Sequence, residues 1–342
     1  MNFKDMSLTI DASEVNASID KYAAVAVLPP VAGGRVQDPS LRAWLAQSDL
    51  KKEPDDAELL ARIASVLALP YPVEGLAALR MWGQTGDRPT VWIAGADPVA
   101  LEARLNHLYL HALRDNELPS ADLRVLFDHL QSTLARNDGT GFVRLGHCGY
   151  VRAGQPMATA AVPAYVVHQK LPRDYLPQGE SAASLRRLLG EIEMSLHDHD
   201  VNQRRLAAGR KPVNSLWFWG GGMAPARQSR AQPPLFADDP LLLGYWDSAN
   251  AIAERWPGSM ADCVDAAKAG FVAVAPASRN EPAFLEECLQ ALRAALADRR
   301  IHTLTILFRD GVRADMRRFD RLRFWRRDAP LLGQADKGGG QQ

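Results

Sequence analysis

Apolar positions along the chain recur with two different periods. Leu185, Leu188, Leu189, Ile192 and Leu196 step by three and four residues, which predicts a helix from Ser184 to about Asp198 with one buried face. The same spacing predicts helices over 55–67, started by Asp55-Asp56, over 120–136, and over 281–298, with shorter helices at 41–46, 76–82 and 247–256. Short apolar or alternating runs predict strands at Tyr22–Leu28, Thr90–Ala94, Asn106–His111, Phe142–Val151, Pro163–Leu171, Asn214–Trp219, Leu241–Trp246, Phe271–Ala275 and His302–Phe308. Asp310-Gly311 is a hairpin signal, and an arginine-studded run from Arg318 to Trp325 reads as a closing edge strand. Strands and helices mingle throughout, so the class is α/β (or α+β), a mixed sheet flanked by helices. The pattern divides into a mostly helical N-terminal region over 1–86, a mixed main domain over 87–332, and a disordered tail over 333–342.

Composition narrows the function classes. Forty basic and 40 acidic residues give a formal net charge of zero, so no global field points to nucleic acid or a membrane surface. Three dispersed cysteines, Cys148, Cys263 and Cys288, have neither metal nor redox spacing and suit a reducing compartment. No apolar stretch approaches a membrane span or a signal peptide, so a cytoplasmic location is expected. His107 and His111 lie four apart, but on a strand that separates them by about 13 Å, too far for one ion. No metal site and no cofactor are expected.

Unusual residue types gather between Glu191 and Gly222. Glu193 and His197 sit one helical turn apart and could pair. His197 and His199 lie near the helix C-terminus, whose partial negative charge favours protonated rings. Asp198, Asn202, Arg204 and Arg205 follow, then a loop to Asn214 and the strand Trp217-Phe218-Trp219. Gly220, Gly221 and Gly222 free the backbone beyond that strand, so that its amides could approach an anion. Each feature also has a plainer reading: a solvated surface pair, a core strand, a turn, and asparagines that fix a loop. Upstream, Asp97 follows the apolar run 90–94 and reads either as a site acid beyond a strand end or as a turn initiator before Pro98. Arg227 and Arg230 lie in a Pro-rich loop, where they could fold over an anion or be solvated.

His199-Asp200-Val201-Asn202, Arg205, Gly209, Pro212, Asn214, Leu216, Trp217, Trp219 and Gly220 resemble a segment of the archaeal-type cofactor-independent phosphoglycerate mutases. Asp200 stands where that family has proline, and Val213 where it has alanine. Ala96-Asp97-Pro98-Val99, the strand 214–222 and Phe324-Trp325-Arg326-Arg327 resemble the RpfE-type regulatory proteins of proteobacteria, over about 87–327. The mutase resemblance implies an alkaline-phosphatase-like sandwich, two divalent metals and a Ser or Thr nucleophile held by dispersed Asp and His residues. The chain departs from that pattern. Its first apolar run leads into Val31-Ala32-Gly33-Gly34 without a carboxylate, and after Gly222 the one histidine is His302.

Three functions are compatible with this reading. The first is a non-catalytic, regulatory-type protein that binds a phosphorylated or other anionic small molecule, or a protein partner, through Asn202, Arg205, Asn214 and Gly220 to Gly222. The second is a metal-dependent phosphoryl-transfer enzyme, with His197, His199, Asp198 and Asp97 as ligands or acid/base groups. The third is a protein-interaction module in which the whole segment is structural.

Overall fold

The computed structural model describes residues 23–54, 56–104, 107–137, 139–227, 231–267, 269–323, 326 and 329–333. The N-terminal stretch to residue 22, Asp55, Asn106, Arg230, Phe324, Trp325, Arg327 and the tail over 334–342, all used in the sequence reading, lie outside these residues.

In chain order the elements are β1 (Ala23–Leu28), α1 (Pro39–Ala46), β2 (Asp49–Lys52), α2 (Leu59–Val66) and α3 (Leu76–Thr85). Then come β3 (Ile93–Arg104), β4 (His107–Ala112), α4 (Ser120–Leu134), β5 (Gly141–Leu145), β6 (Cys148–Arg152), α5 (Ala183–His197), α6 (Asp200–Ala207) and β7 (Ser215–Gly222). The chain closes with β8 (Leu235–Phe236), α7 (Pro240–Ser248), β9 (Ala253–Glu254), α8 (Met260–Ala267), β10 (Val272–Val274), α9 (Pro282–Ala297), β11 (Thr303–Phe308) and β12 (Val312–Arg317).

These strands form two sheets, giving a mixed α/β architecture with helices on the sheets. The first has the order β2-β12-β11-β1-β10-β8-β9. Its core from β11 to β9 is parallel, and β12 and β2 add antiparallel to one edge. The second has the order β4-β3-β6-β5, with β7 also paired to β3. The boundary read at residue 86 falls between α3 and β3, where the chain leaves the first sheet for the second; it returns after β7. The N-terminal region thus contributes β1 and β2 as well as α1 to α3.

Several elements differ from the periodicity reading, each for a local reason. Leu241–Trp246 is helical, not a strand. The Asp239 carboxylate accepts from Leu241 N at 2.9 Å and Leu242 N at 3.3 Å, and Pro240 opens the helix. Because α7 is buried on nearly all sides, its apolar run shows no period. Pro163–Leu171 is not a strand: it holds one 3₁₀ turn, Ala164–Val167, and a second, Pro172–Asp174, follows it. The segment meets β4 through two backbone bonds, Gln169 N to Leu110 O (2.7 Å) and Leu110 N to Lys170 O (3.1 Å), and through His168, whose Nδ1 accepts from Ala112 N at 3.2 Å. The run 142–151 is a hairpin, β5–β6, that turns at the left-handed Gly146. The closing strand is β12, and Arg318–Leu322 is a 3₁₀ turn behind it. Asp310-Gly311 makes the expected turn between β11 and β12.

One apolar core takes side chains from both sheets: Val25, Val27, Val272 and Leu307 from the first, Ile93, Val99, Trp217 and Trp219 from the second. Helices α3 and α7 share it and cross closely. A Cβ on Gly244 would lie 1.9 Å from Leu79 O, and one on Gly83 2.0 Å from Pro240 O. Only hydrogen fits at either position.

Candidate functional site

The segment 183–222 is one continuous assembly on the second sheet. α5 buries Leu185, Leu188, Ile192 and Leu196, and a sharp break at Asp198 starts α6. His199 is the N-cap of α6: its Nδ1 accepts from Val201 N at 3.2 Å. Its ring packs edge-on against His129, at 4.7 Å between centroids, and His129 Nε2 pairs with Ser195 Oγ at 2.8 Å. Burial, then the neighbouring His129, holds the His199 pKa below its ordinary value. The expected protonation by a helix C-terminus therefore does not hold for His199, which opens the next helix. His197 is 81% exposed in its side chain, lies 3.8 Å from the exposed Asp198, and does not meet Glu193. Glu193 instead accepts from Ser215 Oγ at 3.2 Å.

The residues read as ligand-binding are consumed by the main chain. Asn202, 1% exposed, donates from Nδ2 to Leu196 O and Val213 O and accepts at Oδ1 from Val213 N, all at 2.8 Å. It joins the end of α5 to the strand entry. Arg205 is buried; Nε donates to Lys211 O at 2.8 Å and Nη1 to Glu117 O at 2.9 Å. Burial lowers its pKa. The Asn214 amide copies a strand pair with Leu101, accepting from its N at 2.7 Å and donating to its O at 2.9 Å.

The glycine run belongs to β7 rather than to a loop beyond it. Gly220 N donates to Ala160 O and Gly221 N to Thr159 Oγ1, while Gly221 O accepts from Gly75 N. A Cβ on Gly222 would stand 2.4 Å from Gly75 N, so the glycines let the start of α3 press against the strand. These amides are spoken for, and the anion loop expected from the sequence is not formed.

Asp97 sits in the middle of β3, opposite Trp217, not beyond a strand end. Its carboxylate receives Arg80 Nη1 at 2.7 Å and Ala164 N at 3.3 Å. Arg80, from α3, also donates to Tyr150 Oη at 3.1 Å and Gly149 O at 2.8 Å, and its guanidinium lies over the Tyr150 and Trp219 rings. Burial pulls the Arg80 pKa down, but Asp97 foremost, with Tyr150 and Cys148, more than offsets it, so the net shift is upward. Arg227 packs over the Trp82 ring, 3.8 Å from Asp247.

The mutase resemblance implies a pair of divalent metals. Among the described residues, no group of three or more His, Cys, Asp or Glu is placed to hold an ion. The loop after β1, where that family carries its first acid, instead gives Val31 N (2.9 Å) and Ala32 N (2.8 Å) to the Asp310 carboxylate. The described residues do not fit such a metal pair.

The sequence reading missed a second cluster, at the carboxyl ends of the parallel strands. Glu58 caps α2, accepting from Leu60 N at 2.8 Å and Ala61 N at 3.1 Å, so the helix starts later than the expected 55. The Tyr165 hydroxyl, from the turn beside the second sheet, accepts from Leu59 N at 3.0 Å and donates to Glu58 at 3.3 Å. Burial pushes the Glu58 carboxyl up to about 7, the Leu60 amide opposes this, and Asp239 adds to it. The signal available in sequence was an acid directly before the apolar pair Leu59-Leu60. A separate cleft of about 410 Å³ lies over Trp44, Arg293 and Arg317; none of the candidate site residues read from the sequence lines it.

No family model matches the chain. It is 27% identical over 135 residues to the 2,3-bisphosphoglycerate-independent phosphoglycerate mutase of Methanosarcina acetivorans, covering 38% of this chain and 34% of that one. It is 30% identical over 114 residues to a probable enzyme of the same name from Geobacter sulfurreducens, covering 33% and 28%. The match therefore spans about a third of the length of these relatives. Among solved structures, a cofactor-independent phosphoglycerate mutase from Thermoplasma acidophilum superposes with a TM-score of 0.40 at 16% identity, covering 86% of this chain and 89% of that one. A Pyrococcus horikoshii protein superposes with a TM-score of 0.46 at 12% identity, covering 87% and 88%. Among the described residues, no helix is long and apolar enough to cross a membrane.

Proposed function

We propose that this chain is a non-catalytic, phosphoglycerate-mutase-like binding protein with a regulatory role, and that it takes a phosphorylated or similarly anionic small molecule. Partial similarity to the mutases supports the ancestry, and the likeness to RpfE-type proteins supports the regulatory role. The observation that carries the reading is the state of the shared segment. Asn202, Arg205 and Asn214 persist with the mutase spacing, but their polar atoms are bound to main chain at 2.7 to 2.9 Å. The segment works as framework, and the ligand is met elsewhere on the chain. The same saturation favours a second reading, an interaction module that binds a protein instead.

A melting-temperature series with 3-phosphoglycerate, with and without manganese, run beside a mutase assay, tests both. The proposal expects stabilisation by the phosphorylated acid without metal, and no turnover. Manganese-dependent turnover overturns it in favour of an enzyme. No response to any phosphorylated acid leaves the interaction module.

A further inference from the structure

We infer that the cleft between α1, α9 and the end of β12 binds an aromatic carboxylate, its ring against Trp44 and its acid on the Arg317 guanidinium. This rests on the proposed function for an anionic ligand, and adds where that ligand sits and what body it carries.

The cleft measures about 410 Å³, inside the range of roughly 300–1,000 Å³ in which small-molecule sites fall. Its floor is apolar: Leu296 on α9 and Met316 on β12 line it and are 6% and 3% exposed. Trp44, on α1, packs against the same core yet stays half-buried, so its indole forms a wall rather than filling the space. A flat apolar wall beside an apolar floor favours a ring, which gains burial and stacking together. A phosphorylated three-carbon acid would leave both surfaces wet.

Two guanidiniums stand at the rim with donors to spare. Arg293 is exposed and gives Nη1 to Ser40 Oγ at 3.0 Å. Arg317 is also exposed, and its guanidinium pairs with no carboxylate among the described residues. The acid that lines the cleft, Asp320, is turned to its own 3₁₀ turn: it accepts from Arg317 N at 2.8 Å and pairs with Arg323 Nε at 3.2 Å. The planar fork of an arginine matches a carboxylate through two parallel hydrogen bonds.

The charges around the cleft accommodate one anion. Asp38, the cap of α1, feels Arg293: the Ser40 hydroxyl and amide foremost, and Arg293 more weakly, hold its carboxyl below the ordinary range. Asp49 takes both Arg323 at 3.0 Å and Arg326 at 2.8 Å. Arg293, Arg317, Arg323 and Arg326 against Asp38, Asp49 and Asp320 leave one positive charge, and Arg317 is the arginine without an acid. The C-terminal ends of α1 and α9 also reach the cleft. Leu45 O is met by Ser48, and Ala295 O by Arg300 and Ile301, so the negative poles of these helices are blunted.

The test is calorimetric titration of the full chain with 2-naphthoate, beside its neutral isostere 2-naphthamide and beside 3-phosphoglycerate, with melting curves to confirm that each variant folds. The expected result is binding of 2-naphthoate, with 2-naphthamide weaker by about tenfold or more. Arg317→Gln changes an exposed side chain; it should weaken 2-naphthoate by about tenfold or more and leave 2-naphthamide unchanged. Trp44→Leu should weaken both by a similar factor, about tenfold. Equal affinity for acid and amide, or wild-type affinity in Arg317→Gln, overturns the site. If 2-naphthoate fails to bind while 3-phosphoglycerate binds wild type and Arg317→Gln alike, the cleft is overturned and the anion-binding reading stands with its site elsewhere. If 3-phosphoglycerate alone binds and is lost in Arg317→Gln, the aromatic body is overturned. No binding of either anion to the wild type overturns both readings.

Discussion

Arg80 and Glu58 are buried ionisable groups on neighbouring helices, 8% and 3% exposed, and their surroundings resolve the charge in opposite ways. Arg80 faces the Asp97 carboxylate at 2.7 Å, gives its other nitrogens to Tyr150 and Gly149, and lies over two aromatic rings. Its charge is compensated, and the cluster holds α3 against the second sheet. Glu58 receives two amides and one phenol, and the charge nearest to it in effect is another carboxylate, Asp239. Burial without a cation favours the neutral form. A saturated group is architecture; a group held near its own titration point can respond to something. The polar residues of 199–214 belong with Arg80, and Glu58 stands apart from them.

The largest expected effect breaks the saturated side. Asp97→Ala leaves Arg80 buried without its partner and should cost about 3–5 kcal/mol in urea unfolding. The double variant Asp97→Ala/Arg80→Met should recover part of that loss; equal losses in both would mean that the rings, not the ion pair, carry the stability. Gly244→Ala forces α3 and α7 apart and should cost about 3 kcal/mol, read the same way. Asn202→Ala strands Val213 N and two carbonyls, at about 3 kcal/mol, and should leave any anion response of the surviving fold unchanged. A lost response in a folded Asn202→Ala protein would return that residue to ligand binding.

Glu58 sharpens the other side through pH. Its folded pKa, about 7, lies above the ordinary 4.5, so the folded state holds the proton more tightly than the unfolded chain. Its contribution is fully present below pH 4.5, declines as pH rises, and is gone above about 7, an effect of about 3 kcal/mol. Glu58→Gln should flatten that window in a stability–pH profile; an unchanged profile would mean that Glu58 is ionised throughout. The smallest effect is expected from the exposed His197: His197→Ala should stay within about 0.5 kcal/mol and alter no ligand response.

What could be read from the chain depended on where each signal came from. α5, α4 and α9 were legible because their buried faces repeat at helical spacing. α7 was not, because burial all round erases the period, and the cap that decides it, Asp239, looks like any loop acid. The crowding at 191–222 was visible, but whether an asparagine faces a ligand or a backbone depends on partners 11 and 113 residues away, Val213 and Leu101. Asp97 was misplaced because Gly95 and Pro98 suggested a turn, whereas the strand continues through both to Arg104. Glu58 escaped notice because its setting is made by Tyr165, 107 residues later.

The placement of β1 has a consequence for synthesis. Residues 23–28 are made before their partners, 272–274 and 303–308, so this apolar strand must wait for about 250 further residues before its ladder can begin to close. The second sheet and its core lie within 92–222, contiguous in order of translation. That unit can condense on the ribosome while β1 remains unpaired and open to chaperones or to aggregation, since non-local parallel pairing is slow. Nascent chains long enough to expose residue 222 but not yet residue 272 should therefore carry a protected middle and a protease-sensitive β1.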